Sequence, residues 1–273
     1  MDRVINFYKG YFQQSLKEAT AYKIDFLDNL LEKRKVYKFI AFDDNKDLNE
    51  LKLECIKHEK LWFSHYIYLN DKTEFEIKYD QNKISKVTGV NPISIYTLVE
   101  DIKEFYDVCS FSYECKTNMW EDYANHGNGI CIVFDVVNLD MLFPVAYIEK
   151  KRIDFNQLLI KSYLMTLKEK MNRNDPMSIL PYVIKNPMNG ELASYKENEV
   201  RILFPSFDDG DFNNGIVYPQ VKVKNGYKGK GVGYDKCDLK INKIIIGKAC
   251  NIDMKKNIIH YCDDKNIFTD YNK

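Results

Sequence analysis

The sequence predicts an α+β fold, a mixed or mainly antiparallel sheet with flanking helices, built as one domain over residues 1–273. Three observations carry this expectation. Apolar residues recur at helical spacing in residues 12–34 and 94–107, and a closing helix is expected near 252–262. The stretches Val200–Phe204, Gly215–Val223 and Leu239–Ile246 are instead rich in β-branched and aromatic residues. Strands and helices do not alternate in the β–α–β manner of a doubly wound sheet.

In chain order, Ile24, Leu27, Leu30 and Leu31 form the apolar stripe of an N-terminal helix over 12–34. Val36–Ala41 reads as a strand. A second helix follows, with Leu48, Leu51, Cys55 and Ile56 on one stripe, and then a short strand, Leu61–His65, ahead of the turn signal Asn70-Asp71. Ile95, Leu98, Val99, Ile102, Phe105 and Tyr106 line one face of a helix over 94–107. A strand at Val108–Ser112, a short helix at Thr117–Asn125 with Thr117 as N-cap, and a strand at Gly129–Asp135 come next. A helical insertion over about 136–190, including a helix at 155–172, separates the core segments 36–135 and 195–262.

Hydrophobic residues make up 45% of the chain, enough to build a sizeable core. Forty basic residues balance forty acidic ones, so the basic surplus typical of nucleic-acid binding is missing. The local positive runs at 33–38 and 222–230 read as solvated faces. Seven cysteines are scattered without a Cys-x-x-Cys pair, and the four histidines do not stand at zinc-ligand spacing. No signal-peptide core and no run of ~20 apolar residues is found, so a cytoplasmic location without membrane partners is expected.

Several familiar signatures are missing. There is no Gly-x-Gly-x-x-Gly after a strand, no Gly-x-Ser-x-Gly elbow and no His-Glu-x-x-His helix. Gly226–Gly233 is glycine-rich and basic and reads as a hairpin loop rather than an anion cradle, and His126 as part of a helix exit. The informative segment is Tyr195-Lys-Glu-Asn-Glu-Val-Arg-Ile-Leu-Phe204. Extended, it turns Val200, Ile202 and Phe204 to the core and Glu197, Glu199 and Arg201 to the other face. Its carboxylates, about 7 Å apart, either form a solvated face with an Arg counter-charge or line a cleft. Ser110 and Ser112 share a strand face and either hold a cleft's backbone or end an edge strand. Trp120 and Tyr123 either pack into the core or form a stacking wall. Lys38, on the strand beside Tyr37, reads as an outward-facing charge.

Together, Val-Tyr-Lys-Phe39, Lys60-Leu-Trp-Phe-Ser64, Leu69-Asn-Asp71 with Glu74, Ser110-Phe-Ser112, Met119-Trp-Glu-Asp-Tyr-Ala124, Gly129-Ile-Cys-Ile-Val-Phe-Asp135, Glu197-Asn-Glu-Val-Arg201 and Ile244-Ile-Ile-Gly247 resemble a bacterial family known as domain of unknown function number 2971. Lys72 stands where that family usually has proline. The resemblance implies a mobile or antiviral (phage defence) gene context.

Lys38, then Ser110-Phe-Ser112, then Glu197-Asn-Glu-Val-Arg-Ile-Leu-Phe-Pro205 also resemble, more distantly, the Arg/Ser/Glu pattern of arginine-type ADP-ribosyltransferases. Lys38 replaces the arginine of that pattern, and the Ser and Glu segments stand far apart in the chain. This resemblance implies a split sheet and an NAD-cleaving transferase or hydrolase with NAD as substrate and no metal. Glu199 would stabilise the cationic ribose and Glu197 would position or deprotonate the acceptor. Lys38 would meet the pyrophosphate, Ser110 would order the cleft, and Trp120 or Tyr123 would stack the nicotinamide. Tyr37, Asn70, Ser112 and Arg201 complete the binding set. A metal-dependent nuclease or nucleotide-processing enzyme using Asp71, Glu74, Glu197 and Glu199 is the alternative. A non-catalytic binding protein with an aromatic recognition surface is the third reading.

Overall fold

The computed structural model describes residues 3–69, 75, 79–147, 160, 179–185, 198–206 and 229–272. Its fold is α+β, with helices flanking a mixed, mostly antiparallel sheet.

The helices are α1 (Arg3–Tyr11), α2 (Leu16–Leu30), α3 (Lys46–Lys57), α4 (Gln81–Thr88), α5 (Pro92–Ile102), α6 (Thr117–Asp122), α7 (Leu180–Val183) and α8 (Ile252–Lys265). The strands are β1 (Lys35–Ala41), β2 (Lys60–Ser64), β3 (Tyr106–Ser112), β4 (Gly129–Val136), β5 (Leu142–Pro144), β6 (Ala146–Tyr147), β7 (Ile184–Lys185), β8 (Glu199–Pro205), β9 (Gly229–Gly233), β10 (Leu239–Ile246) and β11 (Phe268–Tyr271).

Local chemistry sets most boundaries. The helix expected over 12–34 begins only at Leu16, because Ser15 and Glu18 form a reciprocal capping box. It stops at Leu30, ahead of the left-handed residues Lys33 and Arg34. Asn45, Asp80, Asn91 and Asn251 cap α3, α4, α5 and α8 through their side chains. Thr117 is the first residue of α6 rather than its cap, which is Lys116. The helix expected over 94–107 ends at Ile102, and β3 begins at Tyr106 because a long pairing with β8 outweighs the helical period there. On α3 the buried residues are Asn49, Leu53 and Ile56, whereas Leu48 is exposed, so the helix is rotated from the expected stripe.

Nine strands form one sheet in the order β11-β10-β4-β1-β3-β2-β9, with β8 on β3 and β5 on β8, while β6 and β7 pair separately. Inner strand β4 pairs with both β1 and β10 along nearly its whole length and is buried on both faces except at Asp135, as its unbroken apolar run anticipates. On one face Val36, Ile130, Ile132, Phe134, Cys109 and Phe111 join the core under α2, α3 and α8. On the other, Val108 and Leu203 pack with α1, α4, α5 and α7, and Phe39 and Cys131 with α6.

Near β3 the sheet divides. All seven β3 residues pair with β8. On the opposite edge β3 meets β1 at one bridge, Tyr37↔Ser112, and β2 at one bridge, Ser64↔Val108. Both are antiparallel to β3 and therefore parallel to each other, with α3 as the crossover between them. Between the two bridges no ladder pair covers Cys109, Ser110 and Phe111 on that edge. That gap positions the site.

The segment expected as a helical insertion, 136–190, carries strands β5, β6 and β7 and the short α7 in its described residues. The helix expected at 155–172 and the strand at 215–223 lie outside the described residues, residue 160 excepted. The expected hairpin loop at 226–233 is instead strand β9 from Gly229 onward, paired to β2. Its Lys230 is not solvated as its basic run suggested; it is buried 3.8 Å from Asp107 and over the Phe204 ring. Gly229 has φ +148°, and a Cβ there would collide with the Phe63 carbonyl oxygen. Gly229→Ala is expected to lower the unfolding free energy by about 1–3 kcal/mol, read from urea denaturation. An unchanged midpoint would contradict the β2–β9 pairing. Among the described residues no helix is long and apolar enough to cross a membrane.

Candidate functional site

A cavity of about 480 Å³ occupies the gap where β1 and β2 part from β3, within the range of small-molecule sites. β1 contributes Tyr37, Lys38 and Phe39, β2 contributes Lys60 and Trp62, and β3 contributes Ser110 and Ser112. Lys52 and Cys55 of α3, Tyr123, Lys185 and Glu199 close the walls.

Strand register explains why Ser-x-Ser and Glu-x-Arg meet. Ser112 stands opposite Glu199, and Ser110 opposite Arg201. Directly opposed residues point to the same face, so the two period-two patterns fall onto one patch of sheet. Lys38 arrives differently. It alternates with Tyr37, whose partner is Ser112, and so projects to the other face, over the Phe111 ring. Its Nζ reaches the exposed β3 edge and donates to the Ser110 carbonyl at 2.9 Å. Lys38 and Glu199 thus share a cavity through the gap in the sheet, not through a common face.

Glu199 is 6% exposed. Arg201 Nε donates to its Oε1 at 2.6 Å, the Tyr147 hydroxyl donates to its Oε2 at 3.2 Å, and Lys185 Nζ lies 3.9 Å away. Burial by itself raises the carboxyl pKa. The charges of Arg201 and Lys185, with hydrogen bonds from Arg201 and Ser110, overrule it and lower the value from 4.5 to about 2. Tyr147 and Lys185 stand opposite each other on the β6–β7 pair, which brings both to this one carboxylate. Sequence reading did not find them; both sit in two-residue strands too short to leave a periodic signal.

A carboxyl whose folded pKa is depressed contributes stability that is complete above its unfolded value, near pH 4.5, and is lost as pH falls toward about 2. Acid unfolding followed by circular dichroism should therefore steepen across that window, and Glu199→Gln should flatten it. Identical acid profiles for the two proteins would contradict the ion pairing.

The structure separates the remaining expected site residues. Tyr37, Ser112 and Tyr123 line the cavity, with Tyr123 41% exposed. Ser112 Oγ donates to the Glu114 carbonyl, pinning the turn after β3. Trp120 is not a stacking wall: it is buried edge-on against Phe39 at 5.3 Å, because α6 turns it into the small core over β1 and β4. Arg201 does not line the cavity. It lies behind Glu199, donating to the Tyr182 carbonyl at 2.9 Å and stacked near Phe75, so the solvated-face reading of this segment is wrong. The alternation expected from 195 onward stops at Asn198, whose φ is +50°. Asn70, Asp71, Glu74 and Glu197 lie outside the described residues.

Among the described residues, four lysines, Lys38, Lys52, Lys60 and Lys185, line the cavity against one carboxylate, Glu199. Lys52 is engaged with the Ala41 carbonyl and Asp43. Rings of Phe39, Trp62 and Tyr123 lie among these charges. Such a lining suits a ligand that carries both anionic groups and flat rings. Compared with protein-family models, curated proteins and solved structures, the chain matches none.

Proposed function

We propose that this chain is an NAD-cleaving, ADP-ribosyltransferase-like enzyme. The observation that supports this most is the meeting of Lys38, Ser110, Ser112 and Glu199, from three distant stretches, around one cavity at a division of the sheet.

Breaking the nicotinamide–ribose bond builds positive charge on the sugar, as in glycoside hydrolysis. A carboxylate that stays ionised at every physiological pH suits that charge, and Glu199 is held so by Arg201 and Lys185. The two carboxylate oxygens have about four acceptor positions, so the bonds from Arg201, Tyr147 and Ser110 leave capacity for a ribose hydroxyl. Fixed charge of this kind needs no reorganisation as the bond breaks. Lys38 offers a point charge to the pyrophosphate. Tyr123, at the end of α6, or Trp62 on β2 offers a ring to a planar base.

The test is release of nicotinamide from NAD by the purified chain, followed by chromatography with water and with a cell lysate as acceptors. Release above the uncatalysed background is expected. Folded protein that releases none with either acceptor overturns the reading.

A further inference from the structure

Strand β2 sends alternate residues to opposite faces. Leu61 and Phe63 enter the main core, while Lys60, Trp62 and Ser64 stay half-buried and line the cavity. Lys60 and Trp62 therefore stand side by side on one face, about 7 Å apart by two steps of strand rise. The neighbouring strand leaves them clear. In the β2–β9 register Lys60 stands opposite Gly233, Trp62 opposite Gly231 and Ser64 opposite Gly229. Directly opposed residues share a face, so all three β9 residues on this face are glycines and none sets a side chain beside the indole or the ammonium. Glycine weakens a strand interior and often marks the close approach of a ligand or of another backbone. The Phe63 carbonyl is that neighbour for Gly229, whereas Gly231 leaves bare backbone on the β9 side of Trp62.

We propose that Trp62 and Lys60 form the subsite for the adenosine half of the ligand, with the indole stacking on the purine and the ammonium meeting a phosphate carried by the same ribose. The inference deepens the NAD reading and rests on its view of the cavity as a dinucleotide site. A flat ring and a point charge at this spacing match a base and the phosphate of its own nucleoside. Charge decides which ring of NAD belongs here. Oxidised nicotinamide is cationic and is repelled by a neighbouring ammonium, whereas adenine is neutral; the cationic ring belongs with Glu199. Partial burial in the cavity wall lowers the Lys60 pKa from the ordinary lysine value, with Lys236 and Asp235 acting on it in opposite senses. A partly desolvated ammonium gains more from an anion than a fully hydrated one does. The phosphate can be the 5′-phosphate of the pyrophosphate bridge or a 2′-phosphate on the adenosine ribose, and the ligands below separate the two.

The experiment measures binding of adenosine, adenosine 5′-monophosphate and adenosine 2′-monophosphate to the folded full chain by calorimetry. At least one monophosphate is expected to bind more tightly than adenosine, and the tighter one shows which ribose position faces Lys60. Lys60→Met keeps most of the stem and should weaken that monophosphate roughly tenfold while leaving adenosine unchanged. Trp62→Leu should weaken both ligands by roughly five- to a hundredfold, and Trp62→Phe should recover most of the loss. Should Trp62→Leu not fold, the Lys60→Met comparison decides alone. Adenosine binding as tightly as both monophosphates, or a folded Lys60→Met chain that keeps the wild-type preference, overturns the proposal. So does a folded Trp62→Leu chain with wild-type affinity. Nicotinamide release without this binding pattern removes the subsite and leaves the NAD reading standing; the pattern without release removes cleavage and leaves the subsite.

Discussion

Glu199→Gln is expected to lower the rate of nicotinamide release from NAD by roughly a hundred- to a thousandfold, the usual cost of removing a preorganised charge from a transition state. The substitution keeps the shape of the side chain and an acceptor for Arg201 Nε, so it removes the negative charge and little else. Its structural cost is real, because Arg201 and Lys185 lose their counter-charge in a buried place. Rates therefore need to be measured well below the melting temperature and normalised to folded protein by circular dichroism. The loss should fall on kcat, since the sugar is cationic only as the bond breaks. A variant that is folded and cleaves NAD at the wild-type rate removes Glu199 from the chemistry. A variant that loses activity only in proportion to unfolding does the same.

Arg201→Met is expected to destabilise the fold by about 3–5 kcal/mol, because it leaves the Glu199 carboxylate buried without its strongest partner. The guanidinium also donates to the Tyr182 carbonyl and lies 5.4 Å from the Phe75 ring centre, so one side chain ties β8 to α7 and to the second core. Against a total stability of about 5–15 kcal/mol for a typical domain, the loss should be plain in urea or thermal unfolding. Without Arg201, burial lifts the Glu199 pKa back upward. Adding Glu199→Gln to Arg201→Met should restore part of the loss, because neither charge is then left alone, and the double-mutant cycle gives the coupling directly. A single-mutant loss below about 1 kcal/mol would mean that the pair is worth no more than a surface ion pair. Arg201→Lys should rescue only partly, since an ammonium keeps the charge but not the planar fork that spans Glu199 and Tyr182.

Much of the scaffold was legible because its causes are local. Leu239–Ile246 and Val36–Ala41 declare themselves by β-branched and aromatic residues packed next to one another, and the strands run there. The helix starts that sequence reading misplaced were still written in it. Ser15 with Glu18, and Asn91 before Pro92, are capping signals that a search for apolar stripes alone passes over. The helix α1 was missed for a different reason: its aromatic residues Phe7, Tyr8 and Tyr11 earn their burial from α2 and the second core, not from their own spacing.

By itself, then, the sequence determined the α+β class, the inner strands, and the alternation that sets Ser110 with Ser112 and Glu199 with Arg201 on like faces. Tertiary structure alone decided that β1 and β2 leave the edge of β3 and open a cavity there. It also decided that Lys38 crosses to that edge from the opposite face, and that Arg201 goes inside with Glu199 rather than into water. The bonds responsible join residues 72 positions apart for Lys38 and Ser110 and 52 apart for Tyr147 and Glu199. Backbone periodicity reports which way a side chain points from its own strand. Whether it then meets solvent, a cavity or a charge depends on what the distant chain places above it, and no local pattern records that.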